Sequence, residues 1–443
     1  MKLANIPLIA NHFIRAHWRW NHLHGTTLEQ FQERRARQIV AYTLQHAPFY
    51  RQHWTKEIQS PPENWRTLPT VDKQLMMENF DTFNTRGIQR EQAMEVALHA
   101  ERSRNFRPLL NGLTVGLSSG TSGYRGLFLA SPMEQAGWAG TILARALHGL
   151  PRHRLRVAFF LRSNSNLYEQ IGGLLIAFRY FDLMQPLAEA VAELNDFRPH
   201  IIVGPPSLLG FLSEERLHGK LHANPERLIS VAEVLDLQDK ERIEAAFNAP
   251  VHQIYQCTEG LLAVSCAAGS LHIQEDIVIL QFEPLADSDE RVMPIVTDLW
   301  RKTQPIIRYR LNDILQLDPV PCRCGSSFRV IRTIEGRRDD ICYFELLAGG
   351  IRPFFPDTVR RMILLASSHI VDYQVVQEHH GHMRIHLSVA PGIPFNSVVQ
   401  EVKASAAMIL AQYNCRPAEL CIEEGLVPLP PGTKRRRVQR VNR

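Results

Sequence analysis

A short loop rich in glycine and hydroxyl side chains, residues 117–126, has the residue types most suited to chemistry. Glycine allows positive φ angles and close backbone approach, so successive N–H groups can converge on an anion while hydroxyls add further donors. The loop is therefore a candidate phosphate-binding site, although a solvent-exposed turn has the same composition. A Walker A loop is excluded, because Tyr124 and Arg125 follow Gly123 where that motif requires Lys and then Ser or Thr. The candidate residues are Ser118, Ser119, Gly120, Thr121, Ser122, Gly123 and Arg125.

A second polar group, residues 256–260, follows the apolar segment 251–255 and contains Thr258 and Glu259. The glycine-rich loop also follows an apolar segment. Because ligands of parallel sheets bind beyond the carboxyl ends of the strands, both groups can face one crevice. The pair Thr258–Glu259 could instead open a helix, where a hydroxyl caps the first turn and a carboxylate suits the helix dipole.

The composition predicts a soluble globular protein with a large core and a second domain. The chain has 443 residues, of which 45% are hydrophobic and 21% charged. No apolar stretch is long enough to span a bilayer, and no small-residue cleavage site follows the N-terminal apolar residues. We therefore expect a cytoplasmic protein. Seven cysteines, an odd number spread along a long chain, favour reduced thiols or a metal site over a disulfide framework.

The positive charge is concentrated at the C-terminus. The formal net charge is +5, and six Lys or Arg residues lie among residues 434–443, which leaves the remainder of the chain at −1. The body of the protein is electrostatically ordinary, so any polyanion partner would be held by this tail. The sequence does not otherwise predict a nucleic-acid partner.

The periodicity of the chain predicts an α/β fold. Residues 1–60 have the spacing of amphipathic helices, and residues 110–260 alternate short apolar segments with helix-length segments, as in a mostly parallel sheet covered by helices. Closely spaced strands over 270–338 predict a β subdomain. Residues 339–443 predict a small α+β domain. The predicted domains are thus 1–338 and 339–443.

Further along the chain, four segments carry charged residues, and in the first two these residues interrupt an otherwise apolar strand. These segments are 297–299, 305–313, 336–340 and 430–437. Together with the glycine-rich loop and Thr258–Glu259, and in this order, they resemble the motifs of the adenylate-forming enzymes, in particular the phenylacetate–coenzyme A ligase-like branch. The resemblance runs from about residue 30 to the C-terminus.

The resemblance implies roles for the motifs of the large domain. Residues 118–123 would hold the phosphates of ATP. After the aromatic Tyr255, the hydroxyl of Thr258 would contact phosphate and the carboxylate of Glu259 would bind Mg²⁺. The family commonly has Gly-Lys-Pro after this loop, and Arg125 could supply the missing positive charge.

The resemblance also implies roles near the C-terminus. Asp313 would bind the ribose hydroxyls with help from Arg337, and Asp339 would be the hinge of a mobile lid domain. Lys434 would contact the substrate carboxylate and the α-phosphate during adenylation. Each residue has a structural alternative: Asp313 could pair with a neighbouring arginine, and Lys434 could be one more solvated charge. Asn312 replaces a usual glycine of the family.

A structural Zn²⁺ site is the least specific expectation. Cys322 and Cys324 form a tight thiolate pair, and the resemblance places Cys266 and His272 nearby. Two buried, inert cysteines are the alternative.

The sequence therefore predicts activation of a carboxylic acid, aromatic in our hypothesis, by ATP and Mg²⁺, followed by transfer to coenzyme A. Alternative acceptors are a carrier-protein thiol, an amine or a small cofactor. A rival of another class is a non-catalytic polyanion-binding protein that uses the arginine tail, and deletion of residues 435–443 would separate the two. The acid, the pathway and the oligomeric state, with a homodimer among the possibilities, are left open.

Overall fold

The computed structural model describes most of the chain. The described residues are 6–55, 64–104, 108–118, 125–147, 149, 151, 153–161, 176–183, 185–285, 288, 290–428 and 434–441. Contacts divide the chain into two compact units. The first comprises residues 1–283, 294–311 and 317–332, and the second comprises residues 284–293, 312–316 and 333–443.

The described helices lie before and between the strands along the chain. They are α1 (Ile6–His22), α2 (Gly25–His46), α3 (Pro48–His53), α4 (Lys73–Glu78), α5 (Phe80–Phe83), α6 (Arg90–Ser103), α7 (Pro132–Ala146), α8 (Leu187–Phe197), α9 (Pro206–Leu217), α10 (Leu237–Phe247), α11 (Pro356–Leu364) and α12 (Phe395–Gln412). Single turns of 3-10 helix span Trp65–Thr67 and Arg338–Asp340.

The strands follow the same chain order. They are β1 (Leu109–Leu110), β2 (Leu113–Leu117), β3 (Leu127–Ala130), β4 (Leu155–Leu161), β5 (Ile176–Asp182), β6 (Ile201–Gly204), β7 (Arg227–Val231), β8 (Val251–Cys257), β9 (Gly260–Ser265), β10 (Leu271–Ile273), β11 (Val278–Pro284), β12 (Arg291–Asp298), β13 (Tyr309–Arg310), β14 (Asp313–Asp318), β15 (Val330–Arg337), β16 (Cys342–Glu345), β17 (Ile351–Phe354), β18 (Ile370–His379), β19 (His382–Val389), β20 (Glu419–Glu424) and β21 (Val438–Arg440).

The large sheet of the first unit is mixed. Strands β5, β4, β6, β7 and β8 are parallel neighbours, and β9 and β10 continue the sheet in antiparallel pairing. Helices α8, α9 and α10 connect successive parallel strands, as the predicted alternation of strand and helix requires. The α/β prediction is confirmed, and the sheet is less uniformly parallel than expected.

The side chains of β4 point alternately to the two faces of this sheet and pack on both. Ala158 and Phe160 pack in one apolar cluster with α8, α9 and α10, whereas Val157 and Phe159 pack in another with Leu143 of α7. Neighbouring residues of a strand point to opposite faces, so one strand serves both layers.

Helix α1 lies very close to α7. A Cβ atom added at Gly140 would be 2.6 Å from the carbonyl oxygen of Ile9 and 2.6 Å from Cβ of His12, so only glycine allows this approach. The fully buried Asp276 joins both helices, because its Oδ2 accepts from Arg19 of α1 at 2.7 Å and from Arg145 of α7 at 2.9 Å. Burial alone would raise the pKa of Asp276, but the two guanidinium groups outweigh it and lower this pKa.

The second unit contains a four-stranded sheet in the order β20-β19-β18-β21. Strands β18 and β19 form an antiparallel hairpin, and β20 and β21 are parallel to their neighbours. Helices α11 and α12 pack on the sheet through Val359, Val398 and Val402. The arginine-rich segment supplies β21, whose Val438 is buried in this core.

Candidate functional site

The base of the glycine-rich loop is closed by hydrogen bonds. Strands β2 and β3 form an antiparallel pair around it. The Ser118 N–H donates to the carbonyl of Gly126 at 2.8 Å, and the Gly126 N–H donates to Ser118 Oγ at 2.7 Å. Ser119, Gly120, Thr121, Ser122 and Gly123 lie outside the described residues, so the structure describes the two ends of the loop.

Arg125 is anchored beside this closure. Its Nε donates to the carbonyl oxygen of Ser118 at 3.2 Å, and its guanidinium pairs with Glu101 of α6 at 2.8 Å. Lys73 also lies near this closure, since a Cβ atom added at Gly126 would be 3.0 Å from Lys73 Cε. Two cations are therefore close to the base of the loop, and sequence reasoning missed Lys73 because it is more than forty residues from the loop.

Thr258 and Glu259 form the turn of a β-hairpin. Strands β8 and β9 pair antiparallel, with Cys257 opposite Gly260, so the two residues between them make a two-residue turn. The alternative that this pair opens a helix is therefore wrong. The hydroxyl of Thr258 donates to Glu259 Oε2 at 2.9 Å, and Glu259 is 8% exposed. Tyr255 lies on β8, three residues before the turn.

Arg301 connects this turn to strand β3. One guanidinium nitrogen donates to the carbonyl of Thr258 at 2.5 Å, and the other lies 3.5 Å from the carbonyl of Leu129. Leu129 belongs to β3, the strand that leaves the loop. Arg301 thus contacts both the Thr258–Glu259 turn and the strand that leaves the glycine-rich loop.

The backbone around Arg301 is held by two half-buried carboxylates. Asp298 Oδ1 accepts from the Arg301 N–H at 2.9 Å, and Glu134 of α7 accepts from the Thr303 N–H at 2.8 Å and from its hydroxyl at 2.6 Å. Burial raises the pKa of Asp298. Burial would also raise the pKa of Glu134, but the hydrogen bonds from Thr303 and Ser131 outweigh it and lower this pKa.

Tyr309 is a buried neighbour of Glu259. Its side chain is almost fully enclosed, and burial together with the negative charge of Glu259 raises the pKa of Tyr309 well above its ordinary value. The phenol is therefore neutral and available as a donor. Sequence reasoning placed Tyr309 in a charged segment but assigned it no contact with Glu259.

The second unit brings Asp313, Arg337 and Asp339 together. Asp313 begins β14 and lies 3.7 Å from Arg337 at the end of β15. Asn312, the departure from the family pattern, donates its side-chain amide to Asp339 Oδ2 at 2.7 Å, and its backbone carbonyl accepts the Arg338 N–H at 2.7 Å. Asn312 thus supports the aspartate that we expect to be a hinge.

The arginine-rich segment is folded into the second unit. Arg436 pairs with the buried Asp340, and Arg437 pairs with Asp372 at 3.1 Å. Arg435 also pairs with Asp372. Lys434 directly precedes these residues and is partly buried. The charges that the sequence indicated as a solvated tail are therefore engaged in ion pairs.

Cys266, His272, Cys322 and Cys324 form a compact cluster in the first unit. Their sulfur and nitrogen atoms all lie within 4.8 Å of one another. The Sγ atoms of Cys266 and Cys322 are 3.7 Å apart, and Cys324 Sγ lies 3.4 Å from His272 Nε2. Zinc bonds of usual length in a tetrahedral site give roughly 3.8 Å and 3.6 Å for these separations.

The surroundings of the cluster suit a metal as well. His272 Nδ1 is 2.7 Å from the Phe328 carbonyl, so this nitrogen donates and Nε2 is left as an acceptor toward the thiols. Burial would raise the pKa of Cys322, but hydrogen bonds from Ser270 and from the Cys324 N–H lower it to about 6. A thiolate is thus present at neutral pH, and the donor set fits Zn²⁺.

Comparisons with known proteins cover nearly the whole chain. No protein-family model matches the sequence. The phenylacetate–coenzyme A ligase of Thermus thermophilus is 24% identical over 415 residues, which cover 85% of this chain and 84% of that protein. The Escherichia coli phenylacetate–coenzyme A ligase is 24% identical over 414 residues, which cover 88% and 86%.

Solved structures show the same fold. A 2-hydroxyisobutyryl-CoA ligase in the postadenylation state superposes with a TM-score of 0.74 at 16% identity, covering 96% of this chain and 91% of that one. A benzoate CoA ligase from Burkholderia xenovorans gives 0.50 at 16% identity, covering 73% and 67%.

The sequence similarity and the fold together place the chain in the adenylate-forming superfamily. Within that superfamily the chain is a distant homologue of phenylacetate–coenzyme A ligase and is of the acid–thiol ligase type. The resemblance inferred from the motif order is confirmed. Among the described helices, none is long and apolar enough to cross a membrane.

Proposed function

We propose that the protein activates a carboxylic acid with ATP to an acyl-adenylate and then transfers the acyl group to coenzyme A. In the first step a carboxylate oxygen attacks the α-phosphorus, and pyrophosphate leaves. In the second step the thiol sulfur attacks the acyl carbon, and AMP leaves. Both steps need a positioned substrate and stabilised charge, and neither needs a nucleophile from the protein.

The turn at Thr258–Glu259 would meet the phosphates. Thr258 Oγ1 and the neighbouring N–H groups can donate to phosphate oxygens, and Glu259 would hold Mg²⁺, which would offset the charge of the triphosphate when bound. Arg301 holds this turn in place by donating to the carbonyl of Thr258. The neutral Tyr309 phenol beside Glu259 adds no charge that would compete with the cation.

The glycine-rich loop would bind the remaining phosphate charge. Its ends are held by the Ser118–Gly126 hydrogen bonds, and Arg125 and Lys73 lie next to that closure. A closed base limits the entropy that the loop loses on binding an anion. Arg125 would supply a planar fork of donors where the family has lysine.

The second unit would bind the ribose of ATP, and its rotation would separate the two half-reactions. Asp313, positioned beside Arg337, would accept from the ribose hydroxyls. Lys434 would stabilise the negative charge that develops at the α-phosphate during adenylation. Rotation about Asp339 would then withdraw Lys434 and admit the thiol.

The observation that carries the proposal is the Thr258–Glu259 turn held by Arg301 beside the strand that leaves the glycine-rich loop. The test is a pyrophosphate-release screen over aromatic and aliphatic carboxylic acids, followed by detection of thioester when coenzyme A is added. We expect at least one acid to give release that depends on both ATP and acid. Absence of release across the panel, with ATP binding intact, would refute the proposal, and release without thioester would favour a carrier-protein, amine or small-cofactor acceptor.

We also propose that Cys266, His272, Cys322 and Cys324 hold a structural Zn²⁺. Four protein ligands close the coordination sphere, so the metal would stabilise the fold and would not bind substrate. The His272 hydrogen bond to Phe328 supports this assignment, because it orients Nε2 toward the thiols.

A further inference from the structure

Gln256 is held by α7 at a position close to the proposed reaction centre. The indole Nε1–H of Trp138 donates to Gln256 Oε1 at 3.0 Å. An indole N–H can only donate, so this bond identifies Oε1 as the acceptor end of the amide and leaves both Nε2–H donors for another partner. In the part of the chain that the structure describes, no protein group accepts from Nε2. The side chain is half-buried.

The tryptophan that holds this amide lies in an apolar cluster. Trp138 packs with Ile142 of α7, Leu261 of β9 and Ile254 of β8 in one cluster. A single polar group at the border of an apolar surface is the arrangement with which small-molecule pockets orient a ligand. The Gln256 amide is therefore placed to recognise a polar atom on an otherwise apolar molecule.

The distance from Gln256 to the reacting atoms limits which substrate atom its amide can reach. Gln256 precedes Thr258 by two residues, which separates their Cα atoms by about 7 Å along an extended chain. The substrate carboxylate must lie within about 3.5 Å of the α-phosphorus, which the proposed function places at the Thr258–Glu259 turn. The first few atoms beyond the carboxyl group are then within reach of Gln256.

We infer that Gln256 determines specificity by donating from Nε2 to an oxygen that the acid carries a few atoms from its carboxyl group. The substrate class is a hydroxy, oxo or alkoxy acid, aromatic or aliphatic. A second carboxylate is disfavoured because Glu259 lies in the adjoining turn and Gln256 is neutral. This inference rests on the proposed function, since that function places the acid next to β8.

The simpler alternative is that the Trp138–Gln256 bond only ties α7 to β8. In that case, loss of the bond would reduce the activation of every acid by the same factor. A specificity role instead changes the ratio between two acids that differ only in the oxygen. The ratio of the activation rates of the two acids therefore distinguishes a specificity role from a purely structural one.

The experiment compares pairs of acids with the same carbon skeleton, one with a hydroxyl or oxo group at the second, third or fourth atom and one without. Initial rates of pyrophosphate release give kcat/KM for each member. We expect the unmodified protein to prefer one oxygenated acid by at least about tenfold, since an amide deprived of its partner forfeits a hydrogen bond. Gln256→Met, which is similar in shape but cannot donate, should bring this ratio close to one.

Two further variants separate donation from tethering. Gln256→Glu keeps an acceptor for Trp138 but replaces the donor by a carboxylate oxygen, so it should also lose the preference and turn toward amine-bearing acids. Trp138→Phe removes the tether and keeps the donor, so it should retain most of the preference at a lower rate. An unchanged ratio in Gln256→Met and Gln256→Glu, or equal rates for all pairs in the unmodified protein, would overturn the inference.

A binding measurement distinguishes failure of this inference from failure of the proposed function. Non-hydrolysable acyl-sulfamoyl adenosines made from both members of a pair are titrated by calorimetry. Binding of both with equal affinity overturns the specificity role and leaves the proposed function standing. If neither binds and no acid is activated, the proposed function fails and the inference falls with it. Tighter binding of the oxygenated member, lost in Gln256→Met, supports both.

Discussion

Residue by residue, the candidate site of the first unit depends on groups that hold other groups in place. Arg301 donates to the carbonyl of Thr258, and Asp298 and Glu134 hold the backbone from which Arg301 extends. Charged side chains with this many partners lose little further freedom when a ligand binds. The Thr258–Glu259 turn is thus held in place by the protein alone, as the proposed phosphate and Mg²⁺ site would require.

Glu259→Gln should lower acid-dependent ATP–pyrophosphate exchange by roughly 10²-fold or more, since a hard cation prefers a carboxylate to an amide oxygen and its charge stabilisation would be lost. The measurement is isotope exchange at saturating ATP. The matched control is Glu241→Gln, the same change at an exposed position of α10. Exchange near the unmodified rate in Glu259→Gln would remove this residue from the mechanism.

Lys434→Ala should slow the adenylation half-reaction far more than the thioester-forming half-reaction. Loss of a charge contact made in the adenylation transition state should slow formation of the acyl-adenylate by roughly 10²–10³-fold. Thioester formation from supplied acyl-adenylate should stay within about threefold, because the proposed rotation about Asp339 would withdraw the lysine in that step. Lys403→Ala on α12 is the control, since that lysine is exposed. An equal loss in both steps would mean that Lys434 acts on folding or on nucleotide binding in general.

The motif residues could be predicted from the sequence, but the residues that hold them in place could not. Motif residues are constrained in type and in order, and order is visible along a chain. Arg301 contacts Thr258 across 43 residues, and nothing in its local sequence distinguishes it from other arginines. Thr258–Glu259 is equally suited to a helix start and to a tight turn. Long-range pairing of β8 with β9, in which Cys257 lies opposite Gly260, decides in favour of the turn.

Among the elements, the Cys/His cluster joins the β9–β10 hairpin to the segment between β14 and β15. Cys266 follows β9 and His272 lies in β10, while Cys322 and Cys324 belong to the segment between β14 and β15. Trp20 of α1 contacts both His272 and Phe328 at 5.2 Å between ring centroids. A metal here would stabilise the packing of α1 as well as its own ligands.

Purified protein should contain about one Zn²⁺ per chain, and Cys324→Ser should lose both the metal and several kcal/mol of stability. Elemental analysis gives the metal content, and thermal unfolding with and without a chelator gives the stability. Cys421→Ser is the control, because that cysteine is exposed and outside the cluster. Zinc far below one per chain in protein prepared without chelator would refute the site.

At the scale of the whole molecule, the arginine-rich segment is part of a folded unit. Its partners Asp340 and Asp372 are 96 and 65 residues away from Arg436 and Arg437, so the sequence alone showed a solvated tail. In the structure it contributes β21 and the buried Val438. The deletion that was to separate an enzyme from a polyanion-binding protein would therefore also damage the second unit.

A chain ending at Lys434 should lose about 3 kcal/mol or more of stability in the second unit, because Val438 is no longer buried and Asp340 loses the partner of a buried ion pair. Urea unfolding would measure this loss. A chain ending at Arg440, which retains β21, is the matched control and should be close to the full-length protein. Equal stability of the two shortened chains would show that β21 contributes nothing.

The close contact of α1 with α7 has a consequence for synthesis. Arg19 reaches its partner Asp276 across 257 residues. At the usual rate of about 5–20 residues per second, a ribosome needs roughly 13–50 s to make the intervening chain. During that interval Arg19 lacks its carboxylate partner, and for the earlier part of it the apolar side chains of α1 stay uncovered, until α7 has been made. During translation this helix is therefore a segment for which a chaperone has both the time and the exposed surface to bind.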